Sequence, residues 1–356
     1  MKRFLSAFIL IITILPAPLS GQSKYAATPS STNLAIARGE AREALVALEA
    51  QGVVAERNAA SSPSPQSHVI EASNAYREAA RAAQSLGQFQ KVIAHAGKAL
   101  ALAEKLKSPP LQTSAIYLLH QAYRSVGNHA KSREWIDKGI EVTQQIPEEG
   151  SRRLSQASFL RELGTDLLRQ GKKAEAIQET LESRRLLEEQ LAFLKSRPAV
   201  RRKFPDAVAR AESSLVYTLF RLGLIYQRAA RVEDGIKAYE SGLAIIKETG
   251  LKTQVEVPLY WGLGDLYLKK KEFAVAGENL QRTLEMAERL GLPTFIYLAG
   301  SHLGDLHLQT QRPAEAIPYY KKAIDSIEST RSLLESEEFR SSYFDDKRAT
   351  YGSMIV

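Results

Sequence analysis

The clearest pattern of apolar and polar positions runs from Val257 to Leu290, VPLYWGLGDLYLKKKEFAVAGENLQRTLEMAERL. Tyr260, Leu263, Gly264 and Tyr267 fall on one helical stripe, Lys270, Lys271 and Glu272 interrupt it, and Ala276, Leu280 and Leu284 resume it. Apolar positions at three- and four-residue steps line one face of a helix, so this stretch predicts two amphipathic helices joined by a polar turn. Gly264 stands in mid-helix, where it costs about 1 kcal/mol relative to Ala. Its presence there predicts a close approach by the partner helix.

The same hairpin recurs from Val69 onward. The residue equivalent to Gly264 is Ala80, His120, Gly164, Gly223 and Gly304 in the other copies, and the successive steps are 40, 44, 59, 41 and 40 residues. The Tyr267 position holds Tyr123, Leu167, Tyr226 and His307; the Ala276 position holds Val92, Ser132, Ala176, Gly235 and Ala316. Gly87, Gly127 and Gly171 divide the first three hairpins, and Ala230, Lys271 and Gln311 stand at the same place in the last three. The 59-residue step marks an insertion near 183–213, read as an extended helix to Leu194, a Pro-containing bend from Arg197 to Pro205, and re-entry into the repeat. Ahead of the array, Leu34 to Asn58 predicts one helix with Ala35, Leu45, Val46 and Leu48 partly buried. The prolines and serines of Ala59 to Ser67 break it, so residues 22–67 are expected to be a loosely attached linker containing one helix.

The large-Leu-Gly-Tyr first helix and small-residue second helix, carried by Tyr260, Leu263, Gly264, Tyr267 and Ala276, resemble the tetratricopeptide repeat (TPR). The resemblance covers most of residues 68–329. It implies an all-α fold, a right-handed superhelical solenoid of about six TPR-like helix hairpins whose first helices line a concave groove. The period near 40 exceeds the common value of about 34, which predicts longer helices or connections. Beyond the array, Ile327, Glu328, Arg331, Leu334, Ser336 to Arg340, Ser342, Phe344, Asp346, Lys347 and Tyr351 resemble the segment that joins such repeats to a CHAT domain, a caspase-like module. Residues 330–356 are accordingly expected to form a C-terminal helix, a truncated linker to a domain missing from this chain. That makes two functional readings: a binding scaffold complete in itself, or the recruiting half of a CHAT-type peptidase. A third, an intracellular sensor of signalling peptides, is disfavoured by the start of the chain.

That start changes the expected setting. Lys2 and Arg3, the apolar run from Phe4 to Leu15, and the small residues and prolines up to Gly21 read as a secretory signal peptide over residues 1–21. The run is short for a membrane span of about 20 residues, so cleavage after Gly21 is expected, with a periplasmic or extracellular location and no membrane span thereafter. Loss of Lys2 and Arg3 lowers the formal net charge from +8 to +6. The basic balance suits acidic partners. With no cysteine in the chain, disulfides, thiol catalysis and cysteine metal sites are excluded.

The six histidines, His68, His95, His120, His129, His302 and His307, supply no i, i+4 pair, and His302 and His307 point to different faces of one helix. Carboxylate runs such as Glu188-Glu189 read as solvated helix faces balanced by nearby Arg and Lys. No catalytic residues, metal ligands or cofactor are therefore expected, and the basic run Arg197, Arg201, Arg202 and Lys203 reads as a solvated loop with no nucleic-acid role. Function should lie in the groove instead. By the resemblance, residues one or two places from the core marks face inward: Arg77, Arg81 and Gln84; Tyr117, Gln121 and Arg124; Arg161 and Arg169; Tyr217, Phe220, Gln227 and Arg228; Trp261, Asp265 and Lys269; Ser301, Asp305 and Gln309. Arg and aromatic side chains are favoured anchors in interfaces. The expected partner is a protein or peptide, with acidic groups over Arg81, Arg124 and Arg161 and an apolar anchor near Phe220 and Trp261.

Overall fold

The computed structural model describes residues 40–332, apart from 205 and 252. The signal-peptide stretch and the CHAT-like stretch beyond Ser332 lie outside the described residues. Helices alone make up the regular structure described: α1 (Ala41–Ser61), α2 (Gln66–Ser85), α3 (Phe89–Lys105), α4 (Pro109–Ser125), α5 (His129–Thr143), α6 (Glu149–Arg169), α7 (Lys173–Lys195), α8 (Pro198–Lys203), α9 (Ala207–Arg228), α10 (Val232–Thr249), α11 (Glu256–Lys269), α12 (Phe273–Leu290), α13 (Pro293–Gln309) and α14 (Pro313–Ser332). The hairpins expected from the sequence are α2–α3, α4–α5, α6–α7, α9–α10, α11–α12 and α13–α14. Several helices open on a proline, whose fixed φ and missing N–H suit the first turn; Pro109, Pro198, Pro293 and Pro313 are examples.

Each hairpin turn closes with the same bond. The amide of the residue after the turn position donates to a carbonyl five residues back: Gln88 to Ala83, Asn128 to Tyr123, Lys172 to Leu167, Arg231 to Tyr226, Glu272 to Tyr267 and Arg312 to His307, all at 2.8–3.0 Å. This geometry requires a left-handed residue just before the donor. Gly87, Gly127 and Gly171 supply it at φ of 70°, 75° and 82°, and Ala230, Lys271 and Gln311 adopt it at 59°, 62° and 59°.

By packing, residues 40–166 and 178–211 form one compact unit, and 167–177 with 212–332 a second. The core of the first gathers Leu45, Tyr76, Val92, Ile116, Leu119 and Phe159. That of the second is built on Phe220, Tyr239, Leu259 and Leu266, and on Trp261, Leu280, Leu284 and Leu303. The small residues of the Ala276 position are buried throughout, as the pattern requires: Val92, Ser132, Ala176, Ala276 and Ala316 are each at most 3% exposed.

At four mid-helix glycines, Gly223, Gly262, Gly264 and Gly304, the side chain of a neighbouring helix comes too close for a Cβ. A Cβ on Gly264 would stand 2.6 Å from the Leu280 side chain, and one on Gly304 would stand 2.6 Å from the Tyr320 ring. Tyr239 of α10 is held between two of them, because a Cβ on Gly223 or Gly262 would come within 2.3 or 2.4 Å of its ring.

The segment before the array is docked, contrary to a loosely attached linker. Leu45 and Ala55 of α1 are buried, a Cβ on Gly52 would meet the Tyr76 ring at 2.9 Å, and the Tyr76 hydroxyl donates to Glu56 at 2.6 Å. Val46, expected to be partly buried, is 60% exposed because it points away from α2. The long third step is accounted for by α7, which runs to Lys195, and by the short α8. In the basic run, Arg197 lies over the Phe193 ring at 4.4 Å and Lys203 over Phe204 at 5.4 Å.

Candidate functional site

In the first unit the predicted groove residues of α4 and α6 come together around a carboxylate that the sequence reading did not select. Glu162, 1% exposed, accepts hydrogen bonds from the Tyr117 hydroxyl at 3.0 Å and from Arg124 Nη1 at 2.6 Å. Arg161 Nη2 donates to the Tyr117 oxygen at 3.4 Å, and its Nε lies 3.9 Å from Glu162. His120 completes the cluster: Nδ1 lies 2.9 Å from Ser132 Oγ and Nε2 lies 3.5 Å from Glu162. Burial pushes the His120 pKa down, with the Glu162 carboxylate opposing that shift. In the neutral ring Nδ1 can accept from Ser132, and Nε2–H faces Glu162 without forming a hydrogen bond. Arg124 is thus paired from within, and Arg161 is tied to the Tyr117 hydroxyl beside it. No charge pattern in the sequence singles out Glu162, which pairs with Arg124 across two helices.

Alongside, Gln84 Nε2 donates to Gln121 Oε1 at 3.0 Å, joining α2 to α4. Arg77 contacts Glu78 at 3.2 Å, whereas Arg81, with its side chain 13% exposed, lies 3.9 Å from Glu78, beyond hydrogen-bond length. Burial pulls the Arg81 pKa below the usual arginine value, and Glu78 restores only part of it.

The second unit has a counterpart on α9, α11 and α13. Asp265, 6% exposed, accepts from Lys269 Nζ at 2.5 Å and from Gln227 Nε2, while Gln227 Oε1 accepts from the Tyr239 hydroxyl at 3.1 Å. Trp261 Nε1 donates to His302 Nδ1 at 3.1 Å, which leaves the other ring nitrogen as the donor that faces Asp265 Oδ1 at 3.5 Å. Tyr239 reaches this face through the gap that Gly223 and Gly262 leave open. Asp305 accepts from Tyr320 at 2.5 Å. His302 is not among the groove residues that the sequence pattern selects. Its role depends on a partner 41 residues away, Trp261, and no local spacing encodes that.

The apolar anchor expected at Phe220 and Trp261 is corrected: Phe220 is fully buried and Trp261 is 3% exposed, both inside cores. Tyr217 is likewise 8% exposed, with Arg221 over its ring at 5.9 Å. Arg169 is half-buried, and Arg228 and Lys269 are exposed. His307 stacks on Tyr319 at 5.2 Å, on a different side of α13 from His302. Glu188 and Glu189 pair with Arg184 and Arg185 at the surface. Among the described residues no group of three or more His, Asp or Glu is placed to hold a metal ion, and no helix is long and apolar enough to cross a membrane.

Residues 301–330 match the tetratricopeptide repeat family. Solved structures share the fold: RapI in its apo form, at 11% identity and TM-score 0.59, is matched over 85% of this chain and 96% of that one. BtubC (BKLC) from P. vanneervenii, at 18% identity and TM-score 0.54, is matched over 70% and 92%. The Signal Transduction ATPase with Numerous Domains (STAND) protein PH0952 from Pyrococcus horikoshii, which has a tetratricopeptide repeat sensor, is matched at 17% identity and TM-score 0.50 over 90% of this chain and 49% of its own. No curated protein sequence matches the chain. The fold is therefore all-α and of the tetratricopeptide class, a scaffold typical of protein-interaction domains.

Proposed function

We propose that the chain is an exported, non-catalytic TPR scaffold that binds an acidic peptide segment of a protein partner along its first-helix faces, with Arg81 as the principal carboxylate contact. The observation that carries this reading is the contrast among the three arginines. Arg124 donates to Glu162 at 2.6 Å and Arg161 donates to the Tyr117 oxygen at 3.4 Å, whereas Arg81 stands 3.9 Å from the Glu78 carboxylate. A buried guanidinium so weakly compensated gains most from an incoming carboxylate, which can meet its planar fork with two hydrogen bonds. Gln84, Gln121 and Arg77 beside it offer further polar contacts. Reversing all three arginines is a poor test, since glutamates at 124 and 161 would crowd Glu162.

Arg81→Gln changes the proposed contact alone. Peptides selected from a random decapeptide display library against the full chain should be enriched in Asp or Glu. By fluorescence anisotropy the variant should bind them about tenfold more weakly or worse, the effect of one charge-assisted hydrogen bond. Peptides without acidic enrichment, or equal affinity for the variant, would overturn the reading. Export rests on the order of basic, apolar and small residues over 1–21. Alkaline phosphatase fused after residue 40 should be active in cells, and an inactive fusion, expressed in full, rules export out.

A further inference from the structure

Helix α1 has two apolar faces, and α2 covers one of them. Ala41, Leu45, Gly52 and Ala55 point inward and are buried. On the opposite side Val46, Val53 and Val54 are 60%, 47% and 51% exposed, with Ala47 and Ala50 exposed between them. A surface helix of a monomer carries polar residues on that side, and one that is apolar on both faces is built to be covered on both. The ends of this outer stripe carry Glu43 and Arg57, both exposed and neither in an ion pair among the described residues.

The stripe is self-complementary. Glu43 and Arg57 each stand seven residues from Ala50, about 10 Å along the helix axis at 1.5 Å per residue. Residues 43, 46, 50, 53 and 57 follow the alternating three- and four-residue steps of a helix-pairing seam. An antiparallel pair of α1 helices about a two-fold axis at Ala50 sets Glu43 across from Arg57 of the second copy at both ends. The valines fill the middle, and the small side chains of Ala47 and Ala50 let the backbones approach. We infer that α1 is a homodimerisation surface that pairs antiparallel with a second copy of this chain, centred on Ala50. The area is small beside the roughly 800 Å² per partner of a standard interface, so the dimer is weak and reversible. This inference is independent of the proposed peptide site.

Sedimentation velocity of the full chain, from low to high micromolar concentration, tests it. The wild type should pass from monomer to dimer, and Val53→Glu should stay monomeric with an unchanged thermal melt. Glu43→Arg alone and Arg57→Glu alone each place like charges at both ends and should raise the dissociation constant by at least about threefold. The double variant E43R/R57E should restore it. A chain that stays monomeric at every concentration, as when Leu34–Arg38 or an unrelated partner covers the stripe, overturns the inference. A dimer that the single charge reversals leave unchanged, or that the double variant fails to rescue, overturns it equally.

Discussion

In the first unit the carboxylate at the centre of the polar cluster, Glu162, is 1% exposed and its arginine partners are largely buried, with side chains 2% exposed at Arg161 and 11% at Arg124. In the second unit Asp265 is buried too, but its strongest partner, Lys269, keeps half of its side chain in water. The two clusters cross-link successive first helices by the same logic with opposite margins. Removing one partner from a dry pair strands a charge, which is far more costly than the pair itself is stabilising. Removing a carboxylate whose partner can swing into solvent forfeits only the hydrogen bonds. Glu162→Ala should therefore lose about 3–5 kcal/mol of unfolding free energy, and Asp265→Ala about 1–2 kcal/mol, both read from urea titrations. Equal losses would remove the distinction between the clusters.

Titration sharpens the same contrast. Burial holds the His120 pKa below the ordinary 6.5, so above about pH 7 the ring is neutral in both the native and the unfolded chain. As pH falls through 6.5, the unfolded chain takes up a proton that the native state refuses, and stability declines until the lowered native pKa is reached. His307, also shifted down by burial, adds to the decline in the same direction. His120→Asn should flatten the fall in stability between pH 7 and pH 5 relative to the wild type. A variant whose pH profile parallels the wild type would show that His120 takes up its proton as readily in the native cluster as in the unfolded chain.

The repeat register was legible before any coordinates because it is local. Mid-helix glycines, small residues on the second helix and turn positions each report on a neighbour within one hairpin. Gly264 implied a close helix, and Leu280 is there. What escaped the sequence reading was set by tertiary packing. Glu162 and His302 matter through partners some 40 residues away, and α1 is held by a glycine contact with Tyr76 that a Pro- and Ser-rich break concealed. The groove assignment failed at Phe220 for a related reason, since helical spacing places a residue on a face without saying whether a ring folds back into the core.

The smallest expected effect isolates backbone conformation from packing. The first unit turns its hairpins on Gly87 and Gly127, whereas the second has Gly171 followed by Ala230, Lys271 and Gln311 in the same left-handed region. A Cβ on Gly87, Gly127 or Gly171 would meet nothing within 4 Å, and Ala230, Lys271 and Gln311 are exposed, so contacts do not distinguish the two sets. A non-glycine residue held left-handed costs about 1–2 kcal/mol, and glycine recovers this while losing about 0.4–1 kcal/mol through the freedom it adds to the unfolded chain. Ala230→Gly should therefore stabilise the protein by less than about 1 kcal/mol, and Gly87→Ala should destabilise it by a similar amount, both read as shifts in the urea midpoint. If Ala230→Gly is neutral or destabilising while Gly87→Ala behaves as expected, the six turns share hydrogen bonds without sharing strain. The second unit would then have relaxed its turns by some means other than glycine.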